Sequence, residues 1–141
     1  ARVTKRSARV VRLFGRLEMD LADLSPEEGK EFTAGLGIEE PGRERLIAAA
    51  YRLLGLISFF TCGPDEVRAW TLREGQTAVD AAGAIHSDLA RGFIRAQVVA
   101  FDDYVKYGNS FAQCRDAGCL RLEGKEYLVK DGDIIEIRFN V

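Results

Sequence analysis

"TAVDAAGAIHSDLARGFIRAQVVAF", residues 77–101, is the stretch on which the fold turns. Thr77 and Asp80 have the spacing of a capping box, which satisfies the first free N–H groups of a helix. Behind them Ala78, Ala81, Ala82, Ile85 and Leu89 recur at i, i+3, i+4, i+7 and i+11, predicting a helix with one core-facing stripe. GFIRAQVVAF then changes to the pattern of a strand. The only histidine, His86, falls at the helix end, followed by Ser87 and Asp88. Contiguous helical positions point about 100° apart, so these three cannot assemble as nucleophile, base and orienter.

Upstream, SFFTCG and EVRAWTLRE flank the turn signal Gly63-Pro64-Asp65, so residues 58–73 read as a β-hairpin. Trp70 and Leu72 fall on one face of its second strand, Ala69 and Thr71 on the other. Downstream, DDYVKYG and SFAQCRDAG read as short helical or irregular segments. LRLEGKEYLV and DIIEIRFNV, joined by Lys130-Asp131-Gly132-Asp133, read as a closing hairpin in which Ile135, Ile137 and Phe139 share a face. Hairpin, helix, strand, excursion and final strands form an α+β plan, that of a β-grasp (ubiquitin-like) domain over residues 57–141.

Residues 1–56 read differently. ARVVRLF (8–14) alternates like a strand but has no evident partner. Leu17, Leu21 and Leu24 mark a helical stripe. Ser25-Pro26-Glu27-Glu28 combines an N-cap serine, a proline at the first helical position and a capping-box glutamate. That helix ends near Gly35-Leu36-Gly37. Pro41-Gly42 opens a third, with Leu46, Ile47, Ala50, Leu53 and Leu54 on one face and Gly55 placed to end it.

The chain has 141 residues, 47% hydrophobic and 30% charged, enough to bury a core without disulfides or metal. Its longest apolar run, residues 46–60, contains Arg52 and is shorter than the roughly 20 residues a membrane span needs. No membrane partner and no signal peptide are expected. Cys62, Cys114 and Cys119 fit no zinc spacing and read as free thiols, with Cys114 and Cys119 open to oxidation if they meet in space. A basic arm holding Arg2, Lys5, Arg6, Arg9, Arg12 and Arg16 precedes an acidic stretch. From residue 57 onward ten Lys and Arg stand against thirteen Asp and Glu, so any nucleic-acid contact there must be local rather than carried by bulk charge.

GPDEVRAWTLREGQTAVDAAGAIHSDLARGFIRAQVVAFDDYVKYG, followed by LRLEGKEYLVKDGDIIEIRFNV, closely resembles the C-terminal TGS domain of the YchF family, the Obg-like ATPases. RLEMDLADLSPEE and LGIEEPGRERLIAAAYRLLGLISFFTCG resemble the family's stretch before that domain. The resemblance implies a cytoplasmic, ribosome-associated P-loop protein that uses ATP or GTP with magnesium. The phosphate loop GxxxxGK[ST] is absent from these 141 residues. The chain therefore reads as a piece of a longer protein, with no cofactor and no enzymatic activity of its own. ARVVRLF is then a remnant G-domain strand, and Phe14, Gly15 and Arg16 a remnant of the nucleotide-base edge.

Two readings of His86 stand side by side. In one it hydrogen-bonds the last carbonyls of its helix. In the other, suggested by similar TGS domains of stringent-response synthetases that meet tRNA, it stacks on an RNA base while Arg91 and Arg95 hold phosphates. The alternative function is a ubiquitin-like protein-interaction module using the open sheet face around Val67, Ala69 and Thr71.

Overall fold

A computed structural model describes residues 10–38, 40–63 and 66–140. The chain divides into two compact units, the first ending at Leu54 and the second beginning at Gly55.

In the first unit, helices α1 (Gly15–Ala22), α2 (Pro26–Gly35) and α3 (Gly42–Leu54) follow the stripes and caps of the sequence. Ser25 Oγ accepts from the Glu28 N–H at 3.4 Å while Glu28 Oε2 accepts from the Ser25 N–H at 2.9 Å, closing the capping box. These bonds hold the Glu28 carboxyl below its ordinary pKa. Glu18 Oε1 accepts from the Gly42 N–H at 2.8 Å, tying the start of α3 to α1. Of the strand expected over 8–14, residues 10–14 belong to no ladder, and 8 and 9 lie outside the described residues. An extended segment needs a neighbour for its N–H and C=O groups, and the described residues of this unit offer only helices. Leu46, Ile47, Leu53 and Leu54 on α3 remain exposed.

The second unit is a five-stranded sheet in the order β2-β1-β5-β3-β4. The strands are β1 (Leu56–Cys62), β2 (Val67–Arg73), β3 (Phe93–Ala100), β4 (Arg121–Glu123) and β5 (Asp133–Phe139). β1 and β2 form the expected hairpin, Phe59 opposite Trp70. The closing hairpin is overturned: β4 pairs with β3, and β5 lies between β3, antiparallel, and β1, parallel. Apolar demand explains this. Ile134 and Ile135 are both buried, on opposite faces, so β5 belongs at the centre of the sheet rather than on its rim. The supposed turn residues dock on β1 instead: Asp131 Oδ1 accepts from the Ser58 N–H, and the Gly132 N–H donates to the Ser58 C=O, both at 2.8 Å.

One face of the sheet packs Phe59, Leu72, Phe93, Val98 and Ile135 against α4 (Ala78–Ile85), whose Ala78, Ala81 and Ala82 are fully buried, and α5 (Ser87–Arg91). Alanines at these contacts let the helix approach the strands closely. The other face packs Val99 and Ile134 against α6 (Phe101–Lys106) and α7 (Phe111–Asp116) through Tyr104 and Cys114. Both excursions left open in the sequence are therefore helices. No described helix is long and apolar enough to cross a membrane.

A buried carboxylate fixes the β4–β5 connection. Asp133 Oδ1 accepts from Arg121 at 3.2 Å, and Oδ2 accepts from the Tyr127 hydroxyl at 2.8 Å and the Lys130 N–H at 2.9 Å. Burial, and then the bond to Asp133, push the Tyr127 phenol up to about 12. Asp133→Ala leaves these donors unpaired and is expected to cost about 2–4 kcal/mol in denaturant unfolding. Because the phenol's folded pKa lies above its unfolded one, its contribution is complete below about pH 10 and is lost as pH rises through about 12. Tyr127→Phe should remove that part of the alkaline slope in unfolding curves taken across this window.

Candidate nucleic-acid interface

His86 sits where two helices meet, and its backbone breaks the stripe. With φ −163° and ψ 143° it is extended, ending α4 and starting α5. Its N–H donates to the Ala82 C=O at 2.9 Å, and its side-chain Nδ1 accepts from the Asp88 N–H at 3.2 Å. The expected side-chain bond to the last carbonyls is thus replaced by the opposite role: the imidazole is an acceptor that caps the next helix. An accepting Nδ1 places the ring proton on Nε2 in the neutral imidazole. The ring is 64% exposed, so the face not used in capping is open to solvent.

Asp88 joins its neighbours through different groups, its N–H donating to His86 Nδ1 and its carboxylate taking Arg91. One carboxylate oxygen lies 3.6 Å from His86 Nδ1, and the other takes Nη2 of Arg91. The Arg91 side chain is 74% exposed, so this pair contributes little stability but holds the guanidinium beside the histidine. His86 and Arg91 are therefore brought together at one corner of the unit.

Arg95 is not part of that corner. The β3–β5 register shifts between Phe93 and Arg95, so Arg95 lies opposite Arg138, while Ala96 lies opposite Ile137. Ala96 and Ile137 belong to the core under α4 and α5. Alternation then sends Arg95 and Arg138 to the other face of the sheet. The three-residue basic site expected from the sequence is split in two.

Phe14 precedes α1 without a side-chain cap, Gly15 opens the helix, and Arg16 pairs with Asp20 at 3.4 Å. Val67, Ala69 and Thr71 are exposed on β2, an outer strand of the sheet. The face they share is not open throughout, since α6 and α7 cover Phe60, Val99 and Ile134 beside it. Arg68 stacks over Trp70, whose indole N–H donates to Thr61 Oγ1 at 2.9 Å, the packing role the sequence gives that tryptophan. Among the described residues no His, Cys, Asp or Glu group is arranged to hold a metal ion. Gln97 was not legible beforehand as a polar core residue: it is buried, and its Oε1 has no hydrogen-bond partner. Its place within AQVVA gives only the signal of a polar residue in an apolar strand.

These features define a small α+β module with an exposed histidine and arginine at a helix junction. A family model for YchF-GTPase_C, described as a protein of unknown function (DUF933), matches residues 56–140. The chain belongs to that family and corresponds to the C-terminal part of YchF. It is 50% identical over 135 residues to the Bacillus subtilis protein named ribosome-binding ATPase YchF, covering 96% of this chain and 37% of that protein. It is 48% identical over 137 residues to the Escherichia coli O157:H7 protein of the same name, covering 97% and 38%. The structure of the Schizosaccharomyces pombe YchF GTPase is similar with a TM-score of 0.74 at 36% identity, over 84% of this chain and 31% of that one. The chain thus spans little more than a third of the curated relatives it matches.

His86→Ala is expected to lower the unfolding free energy by about 0.5–1 kcal/mol through loss of the cap, and His86→Asn to retain it, as read by chemical denaturation.

Proposed function

We propose that this chain is the RNA-contacting module of a ribosome-associated YchF-type ATPase, a TGS domain of β-grasp form preceded by a helical segment. The observation that carries the reading is the 48–50% identity to proteins named ribosome-binding ATPases over nearly the whole of this chain. The parallel pairing of β1 with β5 around a helix-covered sheet supports the β-grasp assignment.

His86 presents an exposed ring able to stack on an unpaired base, and Arg91 a guanidinium able to meet a phosphate. On its separate face Arg95, opposite Arg138, would contact backbone phosphate independently. Local contacts of this kind suit a unit without a positive excess. ATP or GTP with magnesium would be held by the rest of the longer protein, in the cytoplasm. The residues present do not fit that role, since the sequence contains no GxxxxGK[ST] to cradle phosphates. No step of nucleotide hydrolysis is assigned to this chain.

Ribosome pelleting with this chain at rising salt tests the reading. Binding should weaken with salt, and His86→Asn combined with Arg91→Ala should weaken it about tenfold, consistent with a lost stack worth about 1–3 kcal/mol. Affinity unchanged by both would refute the RNA contact. A second reading, a protein-interaction surface on β2, is favoured by Val67 being 72% exposed on an outer strand. It predicts that Ala69→Glu, and not the helix-junction variant, abolishes binding.

A further inference from the structure

Cys62, Cys114 and Cys119 all meet the core under α6 and α7. Two of them are placed by the way α7 stops. The Cys119 N–H donates to the Cys114 C=O and the Gly118 N–H to the Arg115 C=O, both at 3.0 Å, with Gly118 at φ 74°. This is a Schellman ending, in which the residue three before the cap and the residue two after it touch through apolar side chains. Both positions here are cysteine. Cys119 Sγ lies 3.3 Å from the Cys114 carbonyl oxygen, and both side chains pack into the same core. An N···O separation of 3.0 Å between these residues keeps their Cα atoms within the roughly 7 Å a disulfide can span. Cys62 lies on β1, on the sheet side of the same core.

We propose that Cys114 and Cys119 are a modification site, a thiol pair that hydrogen peroxide converts to an intramolecular disulfide. Exposure sets the order of events: Cys119 is partly accessible and Cys114 is buried. The Cys119 thiolate attacks peroxide, forming an S–O bond and breaking O–O, and the released hydroxide leaves as water with the thiol's proton. The Cys114 sulfur then attacks the Cys119 sulfur. The S–S bond forms, S–O breaks, and the departing hydroxide takes the Cys114 proton as a second water. Two thiols supply the two electrons that reduce one peroxide. Burial, and then the neighbouring Cys119, push the Cys114 thiol up to about 11, which keeps it protonated and disfavours it as the first group to attack peroxide.

The folded chain treated with equimolar peroxide, then unfolded, alkylated and digested with trypsin, tests this. Cleavage after Arg115 separates the two cysteines, so a disulfide appears as two crosslinked peptides, about 2 Da lighter than their reduced sum, with Cys62 alkylated. Dithiothreitol should restore three alkylated cysteines. Cys114→Ser should leave a sulfenic acid on Cys119 that dimedone traps. Oxidation of Cys62 ahead of the pair, Cys119 advancing to sulfinic acid with Cys114 still alkylated, or no crosslink where the urea-unfolded chain is oxidised would each overturn the proposal. The map of the unsubstituted protein decides this even if a cysteine variant fails to fold.

Discussion

Ile134 and Ile135 are neighbours in the chain and point to opposite sides of the sheet, and each must be removed from water. That single demand places β5 between β1 and β3 and obliges the unit to cover both faces. α4 and α5 cover one and the excursion after β3 covers the other. A rim position for β5 would have left one of the two isoleucines against solvent, at a cost of about 1.5–3 kcal/mol for a side chain of this size. The carboxylate preceding them, Asp133, collects the donors of the incoming loop and fixes where the strand begins.

The helix junction follows a similar economy. One residue supplies its N–H to the helix behind it and an imidazole nitrogen to the helix ahead. The ring is therefore oriented by a backbone bond rather than by burial, and it is exposed. Sites that contact other molecules profit from such side chains, because less rotamer freedom remains to be lost on contact.

What the sequence made legible is local. The capping boxes at Ser25 and Thr77 and the alanine stripe of α4 announce themselves within a single turn, and the β1–β2 hairpin within its own residues. What escaped depends on contacts far apart in the chain. Lys130-Asp131-Gly132-Asp133 reads as a hairpin turn because its side chains are polar, yet Asp131 reaches back to Ser58 and Asp133 is buried. Leu89 continues the stripe of α4 across His86, so the break there has no mark in the spacing. The register shift beside Ile94 likewise leaves no trace in FIRAQ, and with core-facing Ala96 beyond it Arg95 falls on the face away from Arg91. For the candidate site, the residue types were readable and their grouping was not.

The parallel pairing of β1 with β5 joins the first and last strands of the unit, Phe60 beside Ile134. Neither core can close until that pairing is made, because β5 contributes an isoleucine to each. On a chain emerging from synthesis, the β1–β2 hairpin and α4 must wait with their apolar faces uncovered while more than fifty further residues are added. The sheet is complete only once its final strand has arrived.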